Sequence, residues 1–471
     1  MKIEQIYTGC LAQGAYYIES NGEAAIVDPL REVEPYIEKA EKNNARIKYV
    51  LETHFHADFV SGHLDLSKKT GAKIVYGPTA TPSFEAHIAK DDEELKLGNV
   101  KIKVLHTPGH TMESACYLLI DEQGKEKALF SGDTLFIGDV GRPDLAQKAV
   151  HMTTEELAAT LYDSLRNKIM PLPGDVIVYP AHGAGSACGK NMSKETTDTL
   201  GHQKLTNYAL RSNMTKQEFV HEVTKGLTPP PAYFPLNVML NKMGYESIDA
   251  VIKRGEHALS PDAFEIAANE TGALIIDTRD PEIFAKCFIP NSINIGLNGS
   301  FAPWAGALIT DIKQQILIVA EPGREEEVIT RLARVGFDQS IGYLKDGFDA
   351  WKNADKDVDT IVSVTANALA KKMKKESINI LDVRRKSEYE SEYIIDAVSA
   401  PLDYINESML LIDKSKVYYA HCAGGYRSMI FISILKARGY NNLIDIKGGF
   451  KAIKESGLFE ITDYACPTTM L

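Results

Sequence analysis

Four short apolar segments in the first 185 residues constrain the fold of this chain more than any other feature. Each segment is rich in β-forming residues and leads into a polar loop that carries His or Asp. The segments are KYVLET (48–53), KIKVLHT (101–107), KALFSGD (127–133) and DVIVYPAH (175–182). Runs of this length predict buried strands. Because polar residues follow the ends of several strands, we expect them to meet at one edge of an α/β sandwich.

An internal repeat organises the second half of the chain. ALIIDTRDPEIFAKCFIPNSINI (273–295) parallels NILDVRRKSEYESEYIIDAVSAPL (379–402), and LKDGFDAWK (344–352) parallels IKGGFKAIK (446–454). Strands alternate with helix-like segments in both copies, which predicts two α/β domains with parallel sheets. The proline-rich segment GLTPPPAYFP (226–235) cannot continue a helix and marks the end of the first domain.

The predicted organisation is therefore an α/β sandwich followed by two similar α/β domains. The predicted boundaries are 1–235 for the first domain, 236–258 for a helical connector, and 259–356 and 357–471 for the two repeats. A chain of 471 residues is too long for one hydrophobic core, which agrees with this division.

Composition excludes several classes of function. The formal net charge of -12 offers no basic field for nucleic acid. No apolar segment approaches the length of a membrane span, and the N-terminus does not have the pattern of a signal peptide. Six scattered cysteines do not form a disulfide framework. We therefore expect a cytoplasmic protein without membrane contact, in which a reactive cysteine works as a thiol.

The segment THFHADFVSGH, residues 53–63, concentrates three histidines and one aspartate, a pattern typical of a metal site. Downstream follow His110 in TPGHT, Asp133 in SGDTLF and His182 in YPAHG. Together these motifs resemble the HxHxDH pattern of the metallo-β-lactamase superfamily, which implies an αββα sandwich. Superfamily members that bind two metal ions use the Asp and the final His of HxHxDH for the second ion. Here the final position is Phe59, which cannot bind a metal, so the resemblance implies a single ion.

Within the superfamily, the first domain most resembles persulfide dioxygenases. The resemblance implies that His54, His110 and Asp133 hold one Fe(II) per chain. Two imidazoles and one carboxylate on one face of the metal are typical of non-haem Fe(II) oxygenases. Zinc stays open as the alternative, because spacing alone does not separate the two metals. His56 and Asp58 are then expected to orient ligands or bound water.

Three more residues are candidates near this centre. His182 is expected close to the metal without binding it. In persulfide dioxygenases the Arg that matches Arg142 of GRPD (141–144) lies near the thiol substrate, so Arg142 would pair with a carboxylate or phosphate of a thiol carrier. The alternative is that it braces its loop through backbone carbonyls. Cys188 in the glycine-rich segment 183–191 is predicted to be a mobile thiol that moves sulfur to or from the iron, or else an incidental small residue.

The segment HCAGGYRS (421–428) follows a predicted strand and precedes a predicted helix. Backbone N–H groups and a helix N-terminus around a cysteine favour the thiolate. The loop resembles the active loop of rhodaneses, which implies that Cys422 carries sulfane sulfur as a persulfide and that Arg427 adds positive charge. Related phosphatases use Cys-x5-Arg, whereas the spacing here is Cys-x4-Arg. The loop residues expected to contact the substrate are Ala423, Gly424, Gly425 and Tyr426.

The corresponding loop of the first repeat reads VAEPGREEE (319–327) and has no cysteine. We expect this loop to be two residues shorter, with acidic side chains where an anion would bind. The first repeat is therefore predicted to be an inactive rhodanese-like domain that serves as scaffold or interface, and we expect a homo-oligomer.

Together the resemblances imply a bifunctional enzyme of hydrogen sulfide metabolism. The iron domain would oxidise a low-molecular-weight thiol persulfide with O2 to sulfite, and the rhodanese would transfer sulfane sulfur to or from sulfite and thiosulfate. The thiol carrier is of the glutathione, coenzyme A or bacillithiol type. The alternative is a zinc-dependent, glyoxalase II-like thioester hydrolase fused to a sulfurtransferase. A third hypothesis is a sulfur carrier whose metal site is structural, with His56 or Asp58 as a fourth ligand.

Overall fold

The computed structural model describes residues 1–147 and 151–466. Two compact units are present, one formed by Met1–Ala250 with Leu332–Gly336 and the other by Val251–Arg331 with the chain from Phe337 onward. Within the described ranges, every helix is too short or too polar to cross a lipid bilayer.

The first unit is built on two six-stranded sheets, each with neighbouring strands in chain order. In the first sheet the strands are β1 (Lys2–Thr8), β2 (Gln13–Ser20), β3 (Glu23–Val27), β4 (Arg46–Leu51), β5 (Lys73–Tyr76) and β6 (His87–Ile88). In the second they are β7 (Glu94–Leu97), β8 (Val100–His106), β9 (Ala115–Ile120), β10 (Glu126–Gly132), β11 (Ile177–Pro180) and β12 (Asp198–Thr199). Strands β3 to β6 are parallel, as are β10 and β11, and the other pairs are antiparallel.

Side-chain alternation explains how one face of each sheet contributes to a shared central core. In β8, Val100, Ile102 and Val104 point inward while Lys101 and Lys103 face outward. The inward residues join a core that contains side chains of both sheets, so the two sheets pack face to face.

Helices cover the outer faces of both sheets through two further apolar cores. The helices of this unit are α1 (Glu34–Lys42), α2 (His63–Thr70), α3 (Thr154–Ser164), α4 (Leu200–Thr206), α5 (Lys216–Thr224) and α6 (Phe234–Met243); α7 (Ile248–Gly255) spans the division between the units. Helix α3 continues into a π-helical turn over Leu165–Ile169, and a 3-10 turn covers Tyr208–Leu210. The layers confirm the predicted αββα sandwich.

The second unit contains two five-stranded sheets of the same topology, β13-β17-β16-β14-β15 and β18-β22-β21-β19-β20, in which every pair is parallel. The first sheet comprises β13 (Ala258–Leu259), β14 (Leu274–Asp277), β15 (Ile293–Asn294), β16 (Ile316–Val319) and β17 (Ser340–Leu344). The second comprises β18 (Ser363–Val364), β19 (Asn379–Asp382), β20 (Val398–Ser399), β21 (Tyr418–His421) and β22 (Leu443–Ile446). The predicted parallel α/β repeats are confirmed.

The helices between these strands also repeat. In the first repeat they are α8 (Pro261–Thr271), α9 (Pro281–Lys286), α10 (Phe301–Leu308), α11 (Glu325–Ala333) and α12 (Gly347–Asn353). In the second they are α13 (Ala366–Met373), α14 (Lys386–Ser391), α15 (Ile405–Met409), α16 (Tyr426–Ala437) and α17 (Gly449–Ser456), with a 3-10 turn at Leu402–Tyr404.

Strand register corrects one expectation about the repeats. Val319 pairs with Asp277 as His421 pairs with Asp382, so Val319 and His421 are equivalent positions. The same number of residues separates each of them from the glycine that starts the last helix of its repeat. The loop of the first repeat is therefore not shorter; its helix begins at Glu325, one residue later than the position equivalent to Tyr426.

Candidate functional site

The ends of four strands of the first unit bring its His and Asp residues together. His54 follows β4, His110 follows β8, Asp133 follows β10 and His182 follows β11. All four side chains are buried. The expected gathering of polar residues at one edge of the sandwich is present, because these strands all end on the same side of the two sheets.

His54, His110 and Asp133 form the first cluster able to hold a metal ion. Asp133 Oδ2 lies 3.8 Å from His54 Nε2 and 3.4 Å from His110 Nε2. Among the residues that the structure describes, this buried oxygen has no hydrogen-bond partner, which is costly for a carboxylate unless a cation binds there. Two nitrogens and one carboxylate oxygen that converge on one point fit a divalent metal.

Hydrogen bonds on the far sides of the two histidines orient them. His110 Nδ1 lies 2.8 Å from the carbonyl oxygen of Arg142, and His54 Nδ1 lies 3.0 Å from Thr53 Oγ1. A proton on His110 Nδ1 leaves the lone pair of Nε2 directed at Asp133, as metal-binding histidines require.

Protonation states also suit a cation. Burial alone would raise the pKa of Asp133, but the charge and hydrogen bond of the neighbouring His182 outweigh burial and hold the pKa well below its usual value. Burial lowers the pKa of His54, so its imidazole is neutral. A carboxylate beside a neutral imidazole is the state in which both residue types bind metal.

His56 does not join this cluster. Its Nε2 lies 3.0 Å from Asp28 Oδ1, and Asp28 in turn accepts hydrogen bonds from the backbone N–H of Thr53 at 2.8 Å and its hydroxyl at 2.9 Å. With Glu52, these residues form a second buried group. Sequence analysis did not single out Asp28, although it follows β3 directly, as an acidic residue at the end of a buried strand.

His182 lies between two carboxylates. Its Nδ1 is 2.7 Å from Asp133 Oδ1 and its Nε2 is 2.8 Å from Asp58 Oδ2. Burial lowers the pKa of His182, but the two carboxylates outweigh burial and raise it well above its usual value. Phe59 is buried with its ring centroid 4.4 Å from that of His56, where it offers no donor.

Cys188 differs from the expectation of an exposed, mobile thiol, because it is only 1% exposed. Its carbonyl oxygen accepts a hydrogen bond from the backbone N–H of Arg142 at 3.0 Å. Burial, with the nearby charges of Asp58 and Asp133, raises the pKa of the thiol well above its usual value. Without a cation the thiol is therefore protonated and shielded from solvent.

Arg142 makes the contacts expected if it braces its own loop, which was the alternative to binding a thiol carrier. Its guanidinium forms two hydrogen bonds to Asp144, at 2.6 and 2.7 Å, and donates to the carbonyl oxygens of Ala187 and Thr228. The side chain is 6% exposed. These bonds tie together three separate loops of the first unit, including the one that contains Cys188.

In the second unit, Cys422 lies at the head of the loop between β21 and α16. The backbone N–H of Gly425 donates to Cys422 Sγ at 3.1 Å, and Gly425 has a φ of 103°, which glycine adopts without strain. Gly449 packs so closely that an added Cβ would lie 2.4 Å from the Cys422 carbonyl oxygen. Both glycines thus shape a tight ring around the sulfur.

Arg427 is paired with Glu388 through two hydrogen bonds of 2.5 and 2.8 Å. Burial raises the pKa of Glu388, but Arg427 outweighs burial and holds it below its usual value. The positive charge expected beside Cys422 is therefore largely neutralised. Glu388 was not among the residues predicted from the sequence, although it lies within the repeated segment 379–402.

The Asp-x-Arg element of this repeat supports the loop. Asp382 accepts from Arg384 Nε at 2.9 Å and from its Nη2 at 2.6 Å. The same guanidinium lies 3.9 Å above the ring of Phe450 and donates to the carbonyl oxygen of Glu392. Because both ions are buried, the pair fixes the end of β19 beside the loop.

A cavity of about 200 Å³ lies beside the loop, between the two repeats of the second unit. Tyr426 closes part of it by donating a hydrogen bond to the carbonyl oxygen of Gly296 at 2.7 Å. Ala423 is exposed. The lining includes Asp280, Glu282, Asn298, Gly424, Gly425 and Lys447.

Comparison with known proteins agrees with this architecture. The Metallo-beta-lactamase superfamily matches residues 8–182, and the Rhodanese-like domain matches residues 260–354 and 365–456. A metallo-beta-lactamase structure from Staphylococcus aureus subsp. aureus COL has a TM-score of 0.63 and 31% identity, covering 73% of this chain and 98% of that one. The chain belongs to the metallo-β-lactamase superfamily. Two rhodanese-like domains follow its superfamily domain.

Two curated relatives of the superfamily domain differ in activity. A probable hydroxyacylglutathione hydrolase from Schizosaccharomyces pombe is 34% identical over 188 residues, covering 39% of this chain and 68% of that protein. Persulfide dioxygenase ETHE1, mitochondrial, from Homo sapiens is 33% identical over 162 residues, covering 34% of this chain and 59% of that protein. Superfamily membership and the rhodanese-like domains support an enzyme with a metal site and a sulfurtransferase part. The two relatives have nearly the same sequence identity to this chain, so identity alone does not favour either activity.

Proposed function

We propose that this protein is a persulfide dioxygenase joined to a sulfurtransferase. The observation that favours this over a hydrolase with two zinc ions is the donor set of the first cluster. His54, His110 and Asp133 converge there, whereas His56 Nε2 lies 3.0 Å from Asp28 Oδ1 in a separate group and position 59 is Phe. Two imidazoles and one carboxylate are the ligand set of non-haem Fe(II) oxygenases.

Bound Fe(II) would supply the electrons and open coordination positions that O2 needs to react with closed-shell sulfur. The chain supplies the rest. Arg142 holds His110 through its backbone carbonyl, and His182 holds Asp133 through Oδ1, so Oδ2 stays directed at the metal position. The buried Phe59 packs its ring beside those of His56 and His182, at centroid distances of 4.4 and 6.4 Å.

The substrate of this part is proposed to be a low-molecular-weight thiol persulfide (RSSH) of the glutathione, coenzyme A or bacillithiol type. O2 and one water oxidise its outer sulfur to sulfite, the S–S bond breaks, and the carrier leaves as the thiol RSH with release of two protons. We also propose one iron per chain, a cytoplasmic location and a homo-oligomer. The relatives of the first domain include a probable hydroxyacylglutathione hydrolase and a persulfide dioxygenase. Both names indicate a substrate that contains sulfur, which supports this class of substrate.

In the sulfurtransferase part, Cys422 is proposed to act as the nucleophile. Its thiolate attacks the outer sulfur of a persulfide or thiosulfate, a bond forms between Sγ and that sulfur, and the donor leaves as thiolate or sulfite. The N–H of Gly425 stabilises the negative charge on sulfur. Attack by sulfite on the outer sulfur then gives thiosulfate and restores the Cys422 thiolate. The loop residues Ala423, Gly424 and Tyr426 would contact the donor or acceptor.

The test is anaerobic purification, metal analysis, and O2 uptake with glutathione persulfide. We expect one iron per chain and uptake that is lost in His110→Ala but kept in Cys422→Ser. His106→Ala is the matched control, since His106 ends the same strand and bonds the Met112 carbonyl oxygen outside the cluster. Zinc with no O2 uptake, together with hydrolysis of a glutathione thioester, would instead establish the glyoxalase II-like alternative.

A further inference from the structure

The cavity beside the Cys422 loop has a charged lining that the function proposed above does not use. Its volume is about 200 Å³. Pockets for drug-sized ligands are about 300–1,000 Å³, so this cavity suits a smaller chemical group. Gly424 and Gly425 line it, and the backbone nitrogen of Gly425 lies 3.1 Å from Cys422 Sγ. Apart from its chain neighbours, no atom of the described residues lies within 4 Å of a Cβ added to Gly424, so open space adjoins the loop that carries the proposed nucleophile.

The first repeat forms one wall of this cavity, and the second repeat holds that wall in place. The wall consists of the two loops that follow β14 and β15. Tyr426 of α16 donates a hydrogen bond to the carbonyl oxygen of Gly296 at 2.7 Å. Ser433 Oγ of the same helix accepts a hydrogen bond from the backbone N–H of Asn294 at 2.9 Å. These two hydrogen bonds fix the position of the wall beside the Cys422 loop.

Two acidic side chains belong to this wall. Asp280 and Glu282 both line the cavity and are exposed to solvent. Asp280 Oδ1 accepts a hydrogen bond from the backbone N–H of Glu282 at 2.8 Å as the N-cap of α9, so both carboxylates lie at the start of the same helix. Among the residues that the structure describes, neither carboxylate has a cationic side chain as a partner. The wall therefore presents two negative charges that no cation of the chain neutralises.

The second repeat adds one carboxylate and one lysine to the lining, Asp445 and Lys447. Burial, and to a lesser degree the negative charge of Glu282, raise the pKa of Asp445 to about 6, so this carboxyl is mostly ionised at neutral pH. Because Glu282 belongs to the first repeat, the charges of the two repeats act on one another at the cavity. Three carboxylates and one ammonium give the lining an excess of negative charge, which attracts a cationic group and repels phosphates.

We propose that this cavity binds the head group of a thiol that carries a free ammonium group, of the amino-acid type, and presents its sulfur to Cys422. Asp280 and Glu282 of the first repeat bind the ammonium group, and Lys447 is available to a carboxylate beside it. The inference rests on the sulfurtransferase role proposed for Cys422. It selects carriers of the glutathione or bacillithiol type over coenzyme A, which has phosphates and no ammonium group.

The first repeat contributes to recognition of the acceptor in this scheme and supplies no reacting group. The acceptor thiolate attacks the outer sulfur of the Cys422 persulfide. A bond forms between the acceptor sulfur and that outer sulfur, the bond from the outer sulfur to Sγ breaks, and Cys422 leaves as thiolate while the acceptor becomes a persulfide. Because loading of Cys422 and transfer to the acceptor are separate half-reactions, kcat/KM for the acceptor does not depend on the donor.

Sulfur transfer from thiosulfate by the full-length protein tests this with two acceptors, cysteamine, which carries an ammonium group, and 2-mercaptoethanol, which is neutral. Sulfite release is measured anaerobically, so that oxidation of the product persulfide adds no sulfite. Asp280→Asn combined with Glu282→Gln removes both charges and keeps an N-cap residue for α9. We expect kcat/KM for cysteamine to fall about threefold to twentyfold and kcat/KM for 2-mercaptoethanol to change by less than about twofold. Comparison of each acceptor with itself cancels the intrinsic reactivity of its thiol.

Glu270→Gln is the matched control. It removes one negative charge from the same repeat, but Glu270 is an exposed residue of α8, which precedes β14, whereas the wall follows β14. Both acceptors should keep their wild-type kcat/KM in this variant.

Glu282→Lys gives a second test by reversing one charge. It should lower kcat/KM for cysteamine and raise kcat/KM for 3-mercaptopropionate, which has a carboxylate in place of the ammonium group. Unchanged kcat/KM for cysteamine in the double variant would overturn the inference, and so would an equal loss for cysteamine and 2-mercaptoethanol. Transfer that is lost in Cys422→Ser but insensitive to these wall variants would overturn only this inference. Absence of transfer to every acceptor in the wild type would overturn the sulfurtransferase role and this inference with it.

Discussion

The two rhodanese-like repeats share a scaffold and differ in one loop. Asp277 and Arg279 of the first repeat reproduce the pair Asp382 and Arg384 of the second, with the same 2.9 Å contact to Nε and 2.6 Å contact to Nη2. Each arginine also lies over the ring of the phenylalanine at the start of its last helix, at 3.8 and 3.9 Å. The pair therefore belongs to the fold, since it persists where no catalytic cysteine exists.

The difference lies in the loop after the central strand. By register, Ala320 stands where the second repeat has Cys422, and Pro322 stands where it has Gly424. Proline removes one backbone N–H, and the next helix begins with Glu325 and two further glutamates. A scaffold of this kind is thus stable without the anion-binding loop, and the chemistry depends on a few residues that the fold does not require.

The largest expected effect is on sulfur transfer. Cys422→Ser should lower thiosulfate formation from persulfide and sulfite by at least about 10³-fold, because the nucleophile is removed. Adding Ala320→Cys to this variant should not restore activity, since Pro322 removes one N–H of the first-repeat loop and the N–H of Gly323, the equivalent of Gly425, donates to Glu325 at 2.9 Å instead. Recovery of even a tenth of the rate would mean that the two loops are equivalent and that only the cysteine distinguishes the repeats.

The next prediction tests whether the buried Asp–Arg pair stabilises only the fold of its repeat or also the Cys422 loop. Asp277→Ala and Asp382→Ala each leave a buried arginine without its carboxylate, so each should destabilise its own repeat by about 3–5 kcal/mol. The loss is measured from denaturant midpoints. Only Asp382→Ala should also reduce sulfur transfer by the folded protein. Equal loss of transfer in both variants would show that the first repeat takes part in the reaction.

A pH-dependent difference between the repeats arises at Asp445, whose equivalent in the first repeat is Tyr343. Burial raises the pKa of Asp445 to about 6, although Ser428 donates a hydrogen bond to it. Since the folded state binds the proton more tightly than the unfolded state, the stability from this group is complete below pH 4 and declines as pH rises through 6.

Asp445→Asn should remove that decline. Relative to the wild type, its unfolding free energy should increase by up to about 3 kcal/mol between pH 4 and pH 7. Denaturant unfolding of both proteins across this range measures the difference. Parallel pH profiles for the two proteins would mean that Asp445 has no raised pKa in the fold.

The smallest effect concerns the charge beside the nucleophile. Glu388→Gln frees Arg427 from its carboxylate partner, and an unneutralised guanidinium near Cys422 favours the thiolate. The rate of Cys422 alkylation by iodoacetamide at neutral pH should therefore rise in this variant, by roughly threefold to tenfold. Glu390→Gln is the matched control, because Glu390 pairs with Lys386 on the same helix. An unchanged rate would indicate that Arg427 acts only on the fold.

The sequence by itself determined the order of domains, the two parallel repeats and the metal-binding motifs. These features are local: each motif directly follows a buried strand, and the strands are recognisable from their own residues. His54, His110 and Asp133 could therefore be grouped from their positions in the chain alone, because strands that end at the same edge deliver their loops to one place. The absence of a cysteine from the first-repeat loop also follows from the sequence, by comparison of residues 319–327 with residues 421–428.

Only the tertiary structure decided what the neighbouring residues do. It pairs His56 with Asp28, encloses Cys188 beside Asp58, and neutralises Arg427 with Glu388. Each of these contacts joins segments that are distant in the chain or lie on different elements, so no local pattern predicts them. The protonation of buried groups follows the same rule, since it depends on which charges the fold brings within a few ångströms.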